Sequence, residues 1–346
     1  MRKMARVVKI DDVINHNNAD TLEIAKVGGW QVIIRKGEFK TNEYAIFCEI
    51  DSWVPTELAP FLSKGKEPRE YNGVKGEKLR TIRLRGELSQ GLLLPVAECF
   101  GDTVTVSSNN ATPFKEGDDV SEVLNIQKWE PPVSAQLRGQ TKGNFPSIFF
   151  KTDQERIQNL SRKLDEWIAQ GLEFEVTEKL EGSSMTCYLL EDGTFGVCSR
   201  NLDLKRDENN TFWATAIKLD IEAKMKAYFG ETPEKAVCLQ GELIGEGIQK
   251  NIYGLKGYDF RVFDIQEAGG KYFDSDDRAG SLAEMKIDSV PVLGFGTVMP
   301  MEDMLEYAQN NSRLANTKRE GVVWKCLTDP SISFKVVNNE YLLSEK

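Results

Sequence analysis

Short apolar runs alternate with turn residues along the first hundred positions. RVVKI, TLEIAKV, WQVIIR, EYAIFCEI, LRTIRLR, GLLLPV and TVTV follow one another, punctuated by Gly28-Gly29, Asn72-Gly73 and Arg85-Gly86. Alternation with a period of two puts successive side chains on opposite faces of a strand, and glycine-bearing dipeptides close hairpins. The pattern therefore predicts a small β-barrel rather than a helical unit.

Beyond residue 107 the texture changes. Residues 108–148 are rich in Ser, Asn, Pro and Gly and read as linker sequence, and a helix is expected over TDQERIQNLSRKLDEWIAQG. Asp153 can cap it, Ile157, Leu160, Leu164 and Ile168 share one face, and Gly171 ends it. EFEVTEKL, SMTCYLLE, TFGVCSR, VCLQGELI, FRVFDIQ, GVVWKC and SISFKVV then alternate like strands, while WATAIKLDIEAKMKAYFG and SLAEMKI are helical. The expected organisation is a nucleic-acid-binding OB-fold barrel over 1–125, a linker over 126–148 and an α+β, mainly antiparallel domain over 149–346. The barrel assignment rests on five or six strands within about 110 residues, a size at which OB-folds bind oligonucleotides on one face.

Composition narrows the chemistry. The chain has 346 residues and a formal net charge of −10, but one histidine, His16. Multi-histidine metal sites and HExxH metalloproteases are excluded, and a Ser-His-Asp triad would depend on that one residue in an Asn-rich loop. The six cysteines never form CxxC and mostly lie inside apolar runs, as reduced core thiols do. No run of about 18 apolar residues occurs, and the first ten residues carry charges where a secretory leader needs an apolar stretch, so a cytoplasmic protein without a membrane span is expected. Charge is unevenly spread. Residues 1–150 hold 20 basic and 20 acidic side chains, leaving 24 basic and 34 acidic beyond. Within the first part, Lys64, Lys66, Arg69, Lys75, Lys78, Arg80, Arg83 and Arg85 outnumber four glutamates. Such a stretch is either a solvated hairpin or a landing site for a polyanion.

Familiar nucleotide loops are absent. GxxxxGK[ST] does not occur, and Gly245-Glu246-Gly247 and Gly294-Phe295-Gly296 lack the third glycine of GxGxxG. What remains is a distributed series. Lys179-Leu180-Glu181-Gly182 lies between two strand patterns, where a lysine can present its amine to a phosphate or can simply be a surface lysine before a hairpin. Ser199-Arg200-Asn201, Gly241-Glu242-Leu243, Val262-Phe263-Asp264-Ile265, Glu320-Gly321-Val322-Val323 and Phe334-Lys335 follow in order. Each is weak singly; the order and spacing are specific.

The series KLEG, SRN, GEL, VFDI, EGVV and SFK resembles motifs I, Ia, III, IIIa, IV and V of the covalent nucleotidyltransferases, the superfamily of polynucleotide ligases and messenger RNA capping enzymes. The resemblance covers about residues 145–346, and GELIGEGIQKN and KTDQERIQN are similar to RNA ligases in particular. Only 11 residues follow Lys335, too few for the OB domain that DNA ligases and capping enzymes carry after motif V. An OB-like domain ahead of the catalytic one resembles the RNA ligase family often called the fifth. NADTLEIAKVGGW also resembles the OB modules of tRNA-binding proteins.

The resemblance implies an ATP-grasp-like ligase domain and an ATP-dependent RNA ligase, acting as a monomer on RNA or an RNA-containing nicked duplex. Lys179 would take AMP from ATP, pass it to an RNA 5′-phosphate, and a 3′-hydroxyl would displace it. A lysine with an ordinary pKa near 10.4 must lose its proton to attack, which calls for nearby positive charge or burial. Mg²⁺ or Mn²⁺ would supply that charge on oxygen ligands, for which the resemblance implies Glu181, Glu242 and Glu320. Lys335, with Lys325 as a candidate second cation, would hold the α-phosphate; Arg200 would reach the nucleotide or the RNA 5′-phosphate, and Phe263 would stack on adenine. Two departures stand out: Val337 occupies the place of a second motif V lysine, and Glu181 stands where DNA ligases usually have Asp. A DNA ligase, a capping-type enzyme, or an RNA-binding protein with a degenerate catalytic domain are the alternatives.

Overall fold

The computed structural model describes residues 2–102, 106–107, 113–131, 139–151 and 153–345. The chain forms two compact units. The first comprises Met1–Pro132, Ile157–Arg162 and Leu342–Lys346; the second comprises Val133–Arg156 and Lys163–Tyr341.

In the first unit, small antiparallel sheets enclose an apolar centre. Ala5–Lys9, Tyr44–Cys48 and Leu92–Pro95 form one sheet, and Asp12–Asn15, Leu22–Val27 and Trp30–Arg35 another. Val7, Ile46, Cys48, Val54, Leu79, Leu94 and Val120 pack at the centre, as the alternating runs require. The TVTV run falls mainly on residues 103–105, outside the described ones. The basic stretch divides between two hairpins, Arg69–Tyr71 with Val74–Lys78 and Thr81–Leu84 with Glu87–Gln90.

The second unit is built on two sheets. A seven-stranded sheet runs, in order, Thr141–Asn144, Leu202–Leu204, Phe195–Ser199, Ser183–Leu189, Val237–Gly245, Tyr258–Glu267 and Lys271–Tyr272. A five-stranded sheet runs Glu155–Arg156, Ser333–Val337, Gly321–Cys326, Glu173–Lys179 and Val292–Thr297. Each has one apolar face. In the larger sheet Met185, Cys187, Val197, Leu239, Leu243, Phe260 and Ile265 pack under the helices Thr211–Lys218, Ile221–Phe229 and Ser275–Met285. In the smaller one Phe174 and Phe334, which pack with Trp324, meet Trp167 of the Ser161–Gln170 helix, with the Trp167 and Phe334 rings stacked 5.5 Å apart.

Three sequence expectations are corrected here. The stretch 126–148, expected as linker, carries the strands Gln127–Lys128 and Thr141–Asn144. The latter is a mostly exposed edge strand, so it has no apolar alternation to betray it; residues 132–138 lie outside the described ones. The helix expected from Asp153 begins only at Ser161. Glu155–Arg156 pair in parallel with Phe334–Lys335 and Ile157–Leu160 make a 3₁₀ turn, so the chain at Asp153 is tied to a sheet instead of capping a helix. Trp167 takes the buried position on that helix, and Ile168 is exposed. Finally, the helical stretch after Phe212 breaks at Leu219-Asp220, where Asp220 adopts a φ of 56°.

Candidate active site

The polar faces of the two sheets carry the chemistry. Register pairs Lys179 with Gly321, Thr177 with Val323 and Glu175 with Lys325, and pairs Val323 in turn with Lys335. Directly opposite residues share a face, so Lys179, Lys325 and Lys335 project from the same side of the smaller sheet. On the larger sheet Glu242 lies opposite Ser184 and Arg261, and Gln240 opposite Asp264. Contacts join the two: Lys325 meets Asp264.

Lys179 closes its strand, and its Nζ donates to Glu320 Oε1 at 2.5 Å. Burial works to lower this amine, but the Glu320 and Glu242 carboxylates outweigh it and hold the amine above its ordinary value, with Arg156 opposing them. The protein's own groups therefore do not deprotonate this lysine, because two carboxylates face it, in keeping with the expectation that a divalent cation supplies the positive charge. For Glu242 burial prevails instead. Burial, reinforced by Glu320 and resisted by Lys179 and Arg200, pushes its carboxyl up to about 8.

Two glycines make the arrangement sterically possible. A Cβ on Gly182 would lie 2.4 Å from Leu243 O and 2.7 Å from Glu242 Cγ. One on Gly321 would lie 2.3 Å from Val336 O. Each glycine lets a neighbouring strand pass close beside an active-site carboxylate, Glu242 in the first case and Glu320 in the second.

Arg200 and Lys335 converge on one carboxylate. Arg200 Nη2 lies 3.2 Å from Asp153 Oδ2, and Lys335 Nζ lies 3.4 Å from Asp153 Oδ1. Phe263 is the extra residue of a bulge, since register runs from Gln240–Asp264 to Gly241–Val262 and skips it. The bulge re-aims its ring onto the cluster of Leu180, Ile244, Tyr253 and Val290.

Two expected roles do not fit the geometry. Glu181 is 2% exposed, and its two oxygens accept from the backbone N–H groups of Lys250 and Ile252 at 3.3 and 3.2 Å. It therefore anchors the 250–252 loop instead of joining a metal site with Glu242 and Glu320. Among the described residues no three His, Cys, Asp or Glu side chains gather into a metal cluster. Lys325 is committed to Asp264 at the floor between the sheets. Burial draws its amine down to about 8, with Glu175 opposing. Arg200, not Lys325, is the cation that shares a partner with Lys335.

Arg156 was not singled out by sequence. It is 5% exposed, sits opposite Lys335 in the parallel pair, and its charge lowers the Lys179 amine. The Glu-Arg dipeptide in a polar stretch gave no periodic signal that could have found it.

Comparison with known proteins agrees with this geometry. Residues 172–337 match a family model described as RNA ligase, and residues 4–96 match one described as an OB-fold domain. No curated protein sequence matches the chain. Among solved structures, an RNA ligase of Naegleria gruberi in a Lys-to-Ala variant without ligand is 37% identical, with 100% of this chain and 99% of that one covered and a TM-score of 0.88. Another variant of that ligase, solved with ATP and Mn, is also 37% identical over 99% of both chains, with a TM-score of 0.88. The same ligase with pyrophosphate is 38% identical over 99% of this chain and 98% of that one, with a TM-score of 0.87. With a lysine ending its strand against a motif IV glutamate, a barrel unit preceding it, and identity sustained over the full length, this chain belongs to the RNA ligase family.

Proposed function

We propose that this protein seals breaks in RNA by forming lysyl-AMP at Lys179 from ATP, transferring AMP to an RNA 5′-phosphate, and joining a 3′-hydroxyl with release of AMP. The observation that carries the reading is Lys179 at 2.5 Å from Glu320 and facing Glu242, on the same sheet face as Lys335. The Naegleria ligase binds ATP and Mn, and the residues here fit both. Lys179, Arg200 and Lys335 offer cations to phosphates, and Phe263 offers a ring to adenine. Glu242 and Glu320 are hard oxygen donors facing one amine, which suits Mg²⁺ or Mn²⁺ completed by waters and phosphate oxygens. Such a cation, when bound, would neutralise both carboxylates and the phosphate, and so favour the unprotonated amine.

The chain's own residues carry the rest. Glu320, hydrogen-bonded to Nζ, is placed to take the amine proton as Nζ attacks the α-phosphorus and the bond to the leaving pyrophosphate breaks. Lys335 and Arg200 stabilise charge on the phosphate oxygens in flight. Arg156 biases the amine toward its unprotonated form.

In the barrel unit we assign RNA docking to the Thr81–Leu84/Glu87–Gln90 ribbon. Lys75 pairs with Glu67, Arg69 with Glu77 and Lys78 with Asp51. Arg83 and Arg85 are exposed on the neighbouring ribbon and Arg80 leads into it, and these three are put forward as its phosphate contacts. Six free cysteines suit a reducing compartment, and we place the protein in the cytoplasm as a monomer acting in RNA repair. Among the described residues no helix is long and apolar enough to cross a membrane.

Incubation with α-labelled ATP and Mg²⁺ tests the reading. The wild type should carry acid-labile label on a denaturing gel, and Lys179→Ala should carry none. Equal labelling of the variant would remove Lys179 from its role.

A further inference from the structure

The Asp153 carboxylate occupies a distinctive place. It bridges Arg200 Nη2 and Lys335 Nζ, at 3.2 and 3.4 Å, and its main chain is fixed on both sides. Three residues earlier, the Phe150 N–H donates to Gln266 Oε1 at 2.6 Å and the Phe150 carbonyl accepts from Gln240 Nε2 at 2.7 Å. Both glutamines are buried in the larger sheet. Two residues later, Glu155 and Arg156 join the smaller sheet opposite Phe334 and Lys335. The described residues on either side are thus tied one to each sheet, and Asp153 between them presents one carboxylate to the two cations.

A carboxylate between a guanidinium and an ammonium makes the charge-assisted contacts that phosphate oxygens make with the same groups. A phosphate carries more charge and more acceptor oxygens than a carboxylate, and a partly exposed ion pair is worth little. A phosphate can therefore take over both cations at small cost. We propose that Asp153 is a built-in phosphate surrogate, a positioning residue that holds Arg200 and Lys335 aimed into the cleft and yields them to an incoming phosphate. Its return to the cations competes with the departing anion and speeds release. The proposal rests on the reading of this cleft as the nucleotide site. The phosphate it yields to belongs either to ATP or to the RNA 5′ end.

The full chain with Asp153→Asn, which removes the charge and keeps the size, separates these. Calorimetry with pyrophosphate in the Asp153→Asn protein, and with ATP in Lys179→Ala chains with and without Asp153→Asn, reads the nucleotide arm. The KM for a 5′-phosphorylated nicked duplex reads the RNA arm. Removing the competing carboxylate should tighten binding in at least one arm by about three- to tenfold at low salt, the range that two exposed ion pairs span. The gain should shrink as salt rises, without an increase in kcat. Asp153→Glu keeps the charge and should bind as the wild type does. Unchanged or weaker binding in both arms for Asp153→Asn, at an unaltered melting temperature, would overturn the proposal, as would equal tightening in Asp153→Glu. A wild-type chain that binds neither ATP nor pyrophosphate would instead overturn the nucleotide site itself.

Discussion

The Lys179 amine lies 2.5 Å from Glu320, and the residue after Glu320, Gly321, is the register partner of Lys179 across the sheet. The backbones of the nucleophile and its carboxylate are thus brought together by adjacent strands of one sheet, and the two side chains close the remaining gap. Because that carboxylate raises the amine, the lysine is charged at neutral pH without a cation nearby. Adenylylation should therefore require Mg²⁺ or Mn²⁺ and fall to background in EDTA. Glu320→Ala should lower the labelling rate by a factor of about 10² or more, the usual scale for loss of a group that moves a proton or holds a metal. Labelling that persists in EDTA, or a fully active Glu320→Ala, would remove the carboxylate from this role.

Glu242 gives the protein a pH signature. Its folded-state carboxyl is raised to about 8, above an unfolded value near 4.3. Between those values the folded state binds more protons than the unfolded state, so stability falls as pH rises through the window and levels off above it. Without divalent cation, the melting temperature should drop between pH 5 and about 8 more steeply in the wild type than in Glu242→Gln, which cannot titrate. Parallel curves for the two proteins would show that Glu242 is ionised throughout. Added Mg²⁺ should flatten the wild-type curve, since a cation favours the ionised carboxylate.

Gly182 has no freedom to gain a side chain. A Cβ there would meet Leu243 O at 2.4 Å and Glu242 Cγ at 2.7 Å. The carbonyl is backbone held in a central strand, so the strand or the turn must shift. Gly182→Ala should cost about 1–3 kcal/mol in chemical denaturation, the range of overpacking in a closed interior. It should also displace Glu242 and depress adenylylation. A variant with wild-type stability and labelling would show that the two strands can move apart freely.

Much of this was legible in sequence, and the part that was not has physical causes. Alternation located the strands around Lys179, Glu242, Glu320 and Lys335 because each strand has one apolar face. The order of motifs also singled out Lys179, which the fold places at a strand end facing Glu320 and Glu242. Sequence could not show which polar groups spend their charge on one another. Lys325 and Asp264 lie 61 positions apart and meet only when the two sheets face each other. Glu181 is spent on backbone N–H groups some 70 residues away. Asp153 begins a plausible helix pattern, but the parallel pairing of Glu155–Arg156 with Phe334–Lys335, invisible to local periodicity, keeps the chain extended.

The hairpin of the barrel unit yields the last prediction. Ile82 and Leu84 are exposed by 46% and 37%, in the same strand as exposed Arg83 and just before exposed Arg85. The tip is held from a second loop: His16 Nε2 contacts Leu84 O at 3.1 Å, Asn17 donates to Glu87 at 2.8 Å and Asn18 to Arg85 O at 3.3 Å. A ribbon so fixed loses little freedom on binding, and it offers both cations for phosphates and apolar side chains for sugars. Each phosphate contact contributes about 0.7–0.9 to the slope of log K against log salt. Arg80→Ala with Arg85→Ala should therefore weaken nicked-duplex binding and lower that slope by roughly 1.4–1.8. Ile82→Ser with Leu84→Ser should weaken binding at every salt concentration and leave the slope alone. Both double variants should still label Lys179 with AMP, because that chemistry lies in the other unit. Unchanged affinity and slope in both would return the basic ribbon to the status of a solvated hairpin, and a change in oligomeric state in the serine variant would assign its apolar ridge to self-association.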